Sequence, residues 1–250
     1  MKKLMSIFLL IFSLTSCDKE DAPDCFQTAG AMITKEVEVE PFHELIVYKG
    51  IQLFIQQGEE QKILIESGKN LIGEIHVEVE NGRLSIRNGN ECNFFREYNI
   101  TKVYVTVQNL DWLQNAGNNV ITGIGELHFP EIWLRAYNQE NISDIYTIGD
   151  FKLDLVSENI RITSDNYSNF FLSGSTEHLD AYFAAGDGRL EGAGLIAQTV
   201  EIQHRGTNKL IVNPQNVLKG EIRSTGDVIS VNRPPVVQVE TFYNGRLIFK

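Results

Sequence analysis

One short phrase recurs along this chain and narrows its possible folds more than any other feature: a polar, Gly/Asn-rich corner followed by an apolar residue. It reads NAGNNV at Asn115–Val120, YNQENI at Tyr137–Ile142, VSENI at Val156–Ile160 and AAGDGRL at Ala184–Leu190. It returns as HRGTNKL at His204–Leu210, RSTGDV at Arg223–Val228 and FYNGRL at Phe242–Leu247. The closing apolar residues are Val120, Ile142, Ile160, Leu190, Leu210, Val228 and Leu247, so most gaps run from 18 to 22 residues. The longer gap from Ile160 to Leu190 holds an extra corner at Phe171–Ser175. A fixed period of this length predicts a stack of similar laps rather than a globular core around a cleft.

Strand signals fill the spaces between corners. Lys35–Glu40 alternates cleanly, as do Leu45–Val47 and Gln52–Ile55, and Lys62–Glu66 is a short buried run. His76–Glu80 alternates up to Asn81-Gly82, a hairpin turn signal, and resumes in Arg83–Arg87. Lys102–Gln108 places Val103, Val105 and Val107 on one face. No apolar set keeps a 3.6-residue period for three turns, so helices are minor. About twenty residues is what one lap of a parallel β-helix needs, with Gly and Asn accepting positive φ at the corners. Ile132, Leu134, Leu153, Leu155, Val200 and Ile202 are the inward residues expected to stack from lap to lap. Pro234-Pro235 and Arg246–Lys250 would blunt an open end. The fold expected is therefore all-β: one parallel β-helix, a solenoid of short strands.

The first residues address location. Lys2 and Lys3 precede an apolar run from Leu4 to Leu14, which is too short to span a bilayer and reads as a signal peptide over residues 1–16. Leu14-Thr15-Ser16-Cys17 resembles a bacterial lipobox, in which Cys17 becomes the acylated first residue of the mature chain. A plain secretory peptide with an incidental cysteine is the alternative. Residues 17–27 read as a flexible tether. Its Lys19-Glu20-Asp21 looks like the acidic export signal of surface lipoproteins, or is a solvated linker. An outer-membrane lipoprotein displayed at the surface is expected. Cys25 and Cys92 then form a disulfide in an oxidising compartment, or remain two free thiols. Closing that loop would constrain the unfolded chain by roughly 4 kcal/mol.

Pro41–Val47, Ile51–Gly58 and Val79–Ile86, followed by Gly117–Val120, Gly186-Asp187-Gly188 and Gly226-Asp227-Val228, carry a family likeness. With Asn232–Pro234 and Asn244–Leu247 at the close, the chain resembles the head-GIN domain family, autotransporter-type adhesins of unknown function. The likeness runs from Phe42 to the C-terminus. It implies a right-handed parallel β-helix over residues 28–250, usually lipid-anchored, with no established enzymatic chemistry and no catalytic or ligand residues to carry over. The chain departs from the family pattern where Asn138-Gln139-Glu140 and Ser157-Glu158-Asn159 replace glycine-rich corners. Gly89–Tyr98 is a local elaboration, its Cys92 placed opposite Cys25.

Charge and motif content narrow the chemistry. The formal charge is −11, or −13 once Lys2 and Lys3 leave with the signal peptide, which disfavours nucleic acid as a partner. Cys-x-x-Cys is absent and the five histidines are scattered, so no metal site is expected. Gly186–Gly194 lacks the lysine and the helix of a phosphate loop, so no cofactor is expected either. Asp165, Asp187 and Asp227, with Arg189 and Arg205, could line one flank as a polysaccharide-cleaving site, although corner aspartates also serve as turn formers. Aromatic residues give the positive hint. Trp112, Trp133, Tyr137, Tyr146, Tyr167, Phe170, Tyr182 and Tyr243 join Phe94, Phe95 and Tyr98. They either form a binding face or point inward and cover the ends. Phe94, Phe95 and Trp133 are the first candidates for such a face. The function expected is a non-enzymatic, lipid-anchored envelope module that binds a glycan or an envelope protein. A polysaccharide-cleaving enzyme or a structural component of an outer-membrane assembly is the alternative.

Overall fold

Period-two burial sets the secondary structure along almost the whole chain: in Lys102–Val107, for example, Val103, Val105 and Val107 are sealed inside while their neighbours stay half-exposed. The computed structural model describes residues 27–250 apart from 91, 92, 94–96, 98, 139 and 140. Expectations placed on the signal peptide, the tether, Cys17, Cys25, Cys92, Phe94, Phe95 and Tyr98 lie outside these residues. The strands are β1 (Met32–Val37), β2 (Glu44–Tyr48), β3 (Gln52–Gln57), β4 (Lys62–Gly68), β5 (Ile75–Glu80) and β6 (Arg83–Asn88). Then come β7 (Lys102–Val107), β8 (Trp112–Ala116), β9 (Ile121–His128) and β10 (Glu131–Ala136). Four long strands follow, β11 (Phe151–Ser164), β12 (Asn169–Phe183), β13 (Arg189–His204) and β14 (Leu210–Ile222). The chain closes with β15 (Val228–Ser230), β16 (Val236–Thr241) and β17 (Leu247–Phe249). Among the described residues, no helix is long and apolar enough to cross a membrane.

All 17 strands belong to one sheet. One run of it passes β5–β6–β2–β8–β10, continues through the second halves of β11 to β14, and ends on β16. The other passes β1–β4–β7–β3–β9, then the first halves of the same four long strands, and ends on β15 and β17. Because the long strands bend and belong to both runs, the sheet wraps the core as a nearly closed, barrel-like wall. Leu45, Leu113, Leu134, Ile162, Ala181 and Ile202 form one continuous row inside it.

This architecture corrects the expectation of a single right-handed parallel β-helix built of short strands. Strand orientation is mixed: β4 runs antiparallel to both β1 and β7, and β5 antiparallel to β6. The physical reason lies in the first half of the chain. Asn81 (φ 52°) and Gly82 (φ 77°) make the tight turn that folds β6 back on β5, as the Asn-Gly pair predicts. The twenty-residue register belongs to the second half, where Phe151, Phe170, Leu190, Leu210, Val228 and Leu247 pair in succession.

The strands of that half are also long, and this overturns two predicted corners. Val156–Ile160 lies within β11 and Phe171–Ser175 within β12. At the first of these, the buried positions switch from 151, 153, 155 and 157 to 160, 162 and 164, so the strand turns by a phase slip without leaving the ladder. At the second, Gly174 bends the strand at φ 105°. The true corner between β11 and β12 is Asp165–Ser168.

Candidate functional site

Strand alternation sends Leu45 and Val47 of β2 into the core, and so places Ile46 and Tyr48 on the outer side of the wall. There they meet the outer residues of the neighbouring strands. Ile46, Trp112 and Ala116 form a second, small apolar cluster, separate from the main core, with Tyr48, Trp133 and Ile145 packed against it. Trp112 and Trp133 are register partners across β8 and β10, which stacks them side by side.

An outer face this apolar needs a cover, and the described residues of the 137–150 loop (137, 138 and 141–150) supply it. The Tyr146 N–H donates to the Ala116 carbonyl at 3.0 Å, and Gln114 Nε2 donates to the Tyr137 carbonyl at 3.3 Å. Asn138 shapes the loop: its Nδ2 donates to the carbonyls of Ile142 (3.0 Å) and Ile145 (3.1 Å), while its Oδ1 accepts from the Ile142 N–H (2.9 Å). The Asn138 backbone N–H donates to Asp165 Oδ2 at 2.6 Å, which pins the loop to the next corner. A half-open cleft of about 300 Å³ remains between this loop and the wall.

Guanidinium groups occupy the faces of its rings. Arg83 lies 4.2 Å from the Trp112 ring centre, Arg87 3.4 Å from Tyr48, and Arg161 4.5 Å from Trp133. Arg135 approaches Trp133 at 4.6 Å, Tyr137 at 5.3 Å and Trp112 at 5.6 Å. Two carboxylates steady the outer arginines: Arg83 Nε donates to Glu44 Oε2 at 2.6 Å, and Arg161 lies 3.5 Å from Asp180. Burial pushes the Asp180 carboxyl above the ordinary carboxylate range, with Arg161 opposing. Trp133 Nε1 donates to Thr163 Oγ1 at 2.8 Å, fixing the ring edge-on to the next strand.

A second hollow, about 440 Å³, opens on the other side of Trp133, with Asp111, Glu131, Arg161 and Asp180 among its walls. Beside it His43 Nδ1 lies 2.9 Å from Asp111 Oδ2. His43, Glu44 and Asp111 are the one group of three His, Cys, Asp or Glu side chains within ligand reach of each other among the described residues. Glu44 is already engaged by Arg83 and the histidine and aspartate are exposed, so the trio is a solvated hydrogen-bonded cluster.

Of the sequence-predicted residues, Trp112 and Tyr137 line the cleft, while Trp133 packs against the apolar cluster and lines the second hollow. Phe170 does not belong to any face, because it is fully buried against Phe151, with ring centres 4.7 Å apart. The aspartates of the alternative reading are corner-holding groups: Asp187 accepts from Thr207 Oγ1 (2.7 Å), Asp227 pairs with Arg246 (3.1 Å) and Asp165 accepts from Asn138. Sequence reasoning missed the arginines and Tyr48. The even spacing, i, i+4 for Arg83/Arg87 and i, i+2 for Trp133/Arg135, was the available signal, since it puts each pair on the same side of its strand.

The model of the family described as "putative auto-transporter adhesin, head GIN domain" matches residues 41–234. The chain belongs to this family. No curated protein matches it in sequence. Among solved structures, a protein from Bacteroides fragilis described as a putative adhesin superposes with a TM-score of 0.79 at 15% identity, over 89% of this chain and 99% of that one. A protein from Parabacteroides distasonis described as a putative lipid binding protein gives 0.63 at 14%, over 88% and 97%. One from Parabacteroides merdae, described as a putative adhesin, gives 0.58 at 16%, over 88% and 97%. At such identities the likeness is one of fold alone.

Proposed function

We propose that this chain is a non-enzymatic adhesion module of the cell envelope that grips a glycan through the cleft lined by Tyr48, Trp112 and Tyr137. Membership in a family of adhesins gives it a surface adhesion-like role in general. The observation that supports the finer reading is the half-open cleft on the outer side of the wall, lined by Tyr48, Trp112 and Tyr137, with Trp133 the register partner of Trp112 beside it. With guanidinium groups over the ring faces, the cleft offers a sugar arginine N–H donors and ring edges rather than bare ring faces. In this reading the lipobox cysteine Cys17 holds the module on the membrane and the tether lets it reach outward. An apolar floor of Ile46, Ile142 and Ile145 favours a second reading, in which the cleft takes the acyl chain of an amphiphile, as the description of the Parabacteroides distasonis neighbour suggests.

A glycan array probed with the purified chain and with Tyr137→Ala, a residue of the cleft's lining, tests the first reading. Bound glycans that weaken about tenfold or more in the variant support it. An identical binding profile for the two proteins removes the cleft from the adhesion surface.

A further inference from the structure

We propose that two copies of this chain join end to end through β16, paired antiparallel about Gln238. The partner is a second copy and the surface is separate from the cleft of the glycan reading, so the two stand or fall independently.

β16 ends its run of the wall: among the described residues it pairs with β14 alone. The Phe242 N–H donates to the Ile222 carbonyl at 2.9 Å. Strand alternation from there turns the backbone groups of Val237, Val239 and Thr241 outward, along the open edge. Native sheets blunt such edges with lysine, proline or an inward charge. The opposite end of the wall is blunted in this way. Lys35 of β1 stands in register with the sealed Ile65, and so on the core side of its strand. β16 holds no lysine, and Pro234 and Pro235 precede it rather than interrupt it. Around it Val236, Phe242 and Tyr243 are exposed, while Val239, Leu247 and Phe249 only half cover the end of the core.

Charge and register favour a second copy as the occupant. Residues 210–250 carry five Lys and Arg against three Asp and Glu, in a chain with 33 acidic and 22 basic residues. This end is thus spared the self-repulsion of the acidic body. With Gln238 opposite its own counterpart, Val237 faces Val239 on both sides of the two-fold, and these are residues whose N–H and C=O groups point outward. Each such pair exchanges both of its main-chain hydrogen bonds. Val236 then meets Glu240, so no like charges stand opposite each other. The two-fold closes the assembly at a dimer. The described chain enters the wall at β1, at its other end, so joined copies hold their N-termini apart. On the lipobox reading above, the pair bridges two facing membranes.

Sedimentation equilibrium of the purified protein, with thiols kept reduced, tests this. The expected result is a monomer–dimer equilibrium that fills between about 10 µM and 1 mM, with no larger species. Gln238 is exposed on the outer side, so Gln238→Lys leaves the fold intact and sets like charges opposite each other. It is expected to weaken the dimer about tenfold or more. Under oxidation Gln238→Cys is expected to form a covalent dimer above the wild-type background, and Val236→Cys is not, because this register holds the two copies of residue 236 apart. A monomer at every concentration overturns the proposal, as does assembly beyond the dimer or equal crosslinking at the two positions. Beads carrying the protein by its N-terminus are expected to cluster with the wild type and not with Gln238→Lys. Beads that stay apart while the dimer forms in solution overturn the bridging of facing membranes.

Discussion

The two halves of the wall solve the same problem differently. In the second half, β11 to β14 are strands of 13 to 16 residues, paired in parallel with their neighbours. Each of those four laps is one continuous strand that bends through both runs of the sheet. In the first half no strand exceeds 8 residues, and β4 and β5 run against their partners. An antiparallel partner lets the chain double back locally, so the first half can finish the end of the sheet with β1 and the β5–β6 hairpin. A parallel lap cannot double back and must instead bring each corner onto the one before it. The second half is therefore constrained chiefly by backbone proximity, while the first adds turn geometry to close approaches of its own, as at Gly68, where a Cβ would lie 2.1 Å from the Ala29 carbonyl oxygen.

The steepest test of that contrast is a pair of glycines. At Gly220 in β14 the φ is +122° and an added Cβ would lie 1.9 Å from the Ile202 carbonyl oxygen of the neighbouring lap. Gly125 in β9 also has positive φ, +74°, but open space around it. Gly220→Ala is expected to cost on the order of 4 kcal/mol or to prevent folding, since strain and a backbone clash add. Gly125→Ala is expected to cost about 1 kcal/mol, the conformational penalty alone. Chemical denaturation of the two variants decides it, and equal losses would show that proximity plays no special part in the stacked half.

Phe170→Ala comes next. Its ring stacks on Phe151 and meets Phe183 edge-on, 5.7 Å between centres, in the sealed interior. A loss of about 3–5 kcal/mol is expected from the transfer and cavity costs together. Retained stability would mean that neighbouring laps collapse into the space, and the stack would be more pliable than its register implies.

Asn138→Ala asks whether the roof of the cleft is independent of either half. Three side-chain hydrogen bonds vanish, all within the loop. Global stability is expected to fall by only about 1–2 kcal/mol, while amide exchange at Ile142 and Tyr146 accelerates strongly. Unchanged exchange at those two amides would show the loop to be held by its apolar contacts instead.

Much of this was legible in the residues and some was not. The Asn81-Gly82 hairpin and the inward rows were readable because turn chemistry and period-two patterning are local. The corners at Ala184–Leu190 and Arg223–Val228 were readable too, but for an incomplete reason. Gly186 does adopt positive φ, whereas Gly226 needs to be glycine because a Cβ would sit 2.1 Å from the Asn208 carbonyl oxygen of the preceding corner. That contact spans two laps and leaves no local trace. Ser157-Glu158-Asn159 has corner composition yet stays in its strand, since a phase slip and a loop ask for the same residue types. The antiparallel order of β1, β4 and β7 was invisible because strand direction is decided by partners far along the chain. The cleft was half visible. Trp133 stood out by type, but the arginines over the rings of this face come from three different strands, β6, β10 and β11.

His204 gives the smallest and most specific test, and it belongs to the stacked half alone. Its ring is wholly buried, edge-on to Phe183 at 6.1 Å, and Nε2 donates to the Asn208 carbonyl at 2.8 Å. Burial pushes its pKa below the ordinary 6.5, while the Asn208 bond and the Asp227 charge oppose the shift. A depressed folded value means that, as pH falls below about 6.5, the unfolded chain takes up a proton the folded chain refuses. The contribution of His204 is therefore complete above that pH and declines as pH drops toward its folded value. His204→Phe keeps the edge-on ring but removes the titration. Its melting temperature is expected to be slightly lower than wild type near neutrality, by the loss of about 1 kcal/mol for the Asn208 bond. Toward pH 5 the gap narrows, because the wild type alone loses stability through this site. Parallel melting curves across that range would mean that the ring takes up its proton without opening the stack, and the laps around it would then be less tightly sealed than the corner geometry indicates.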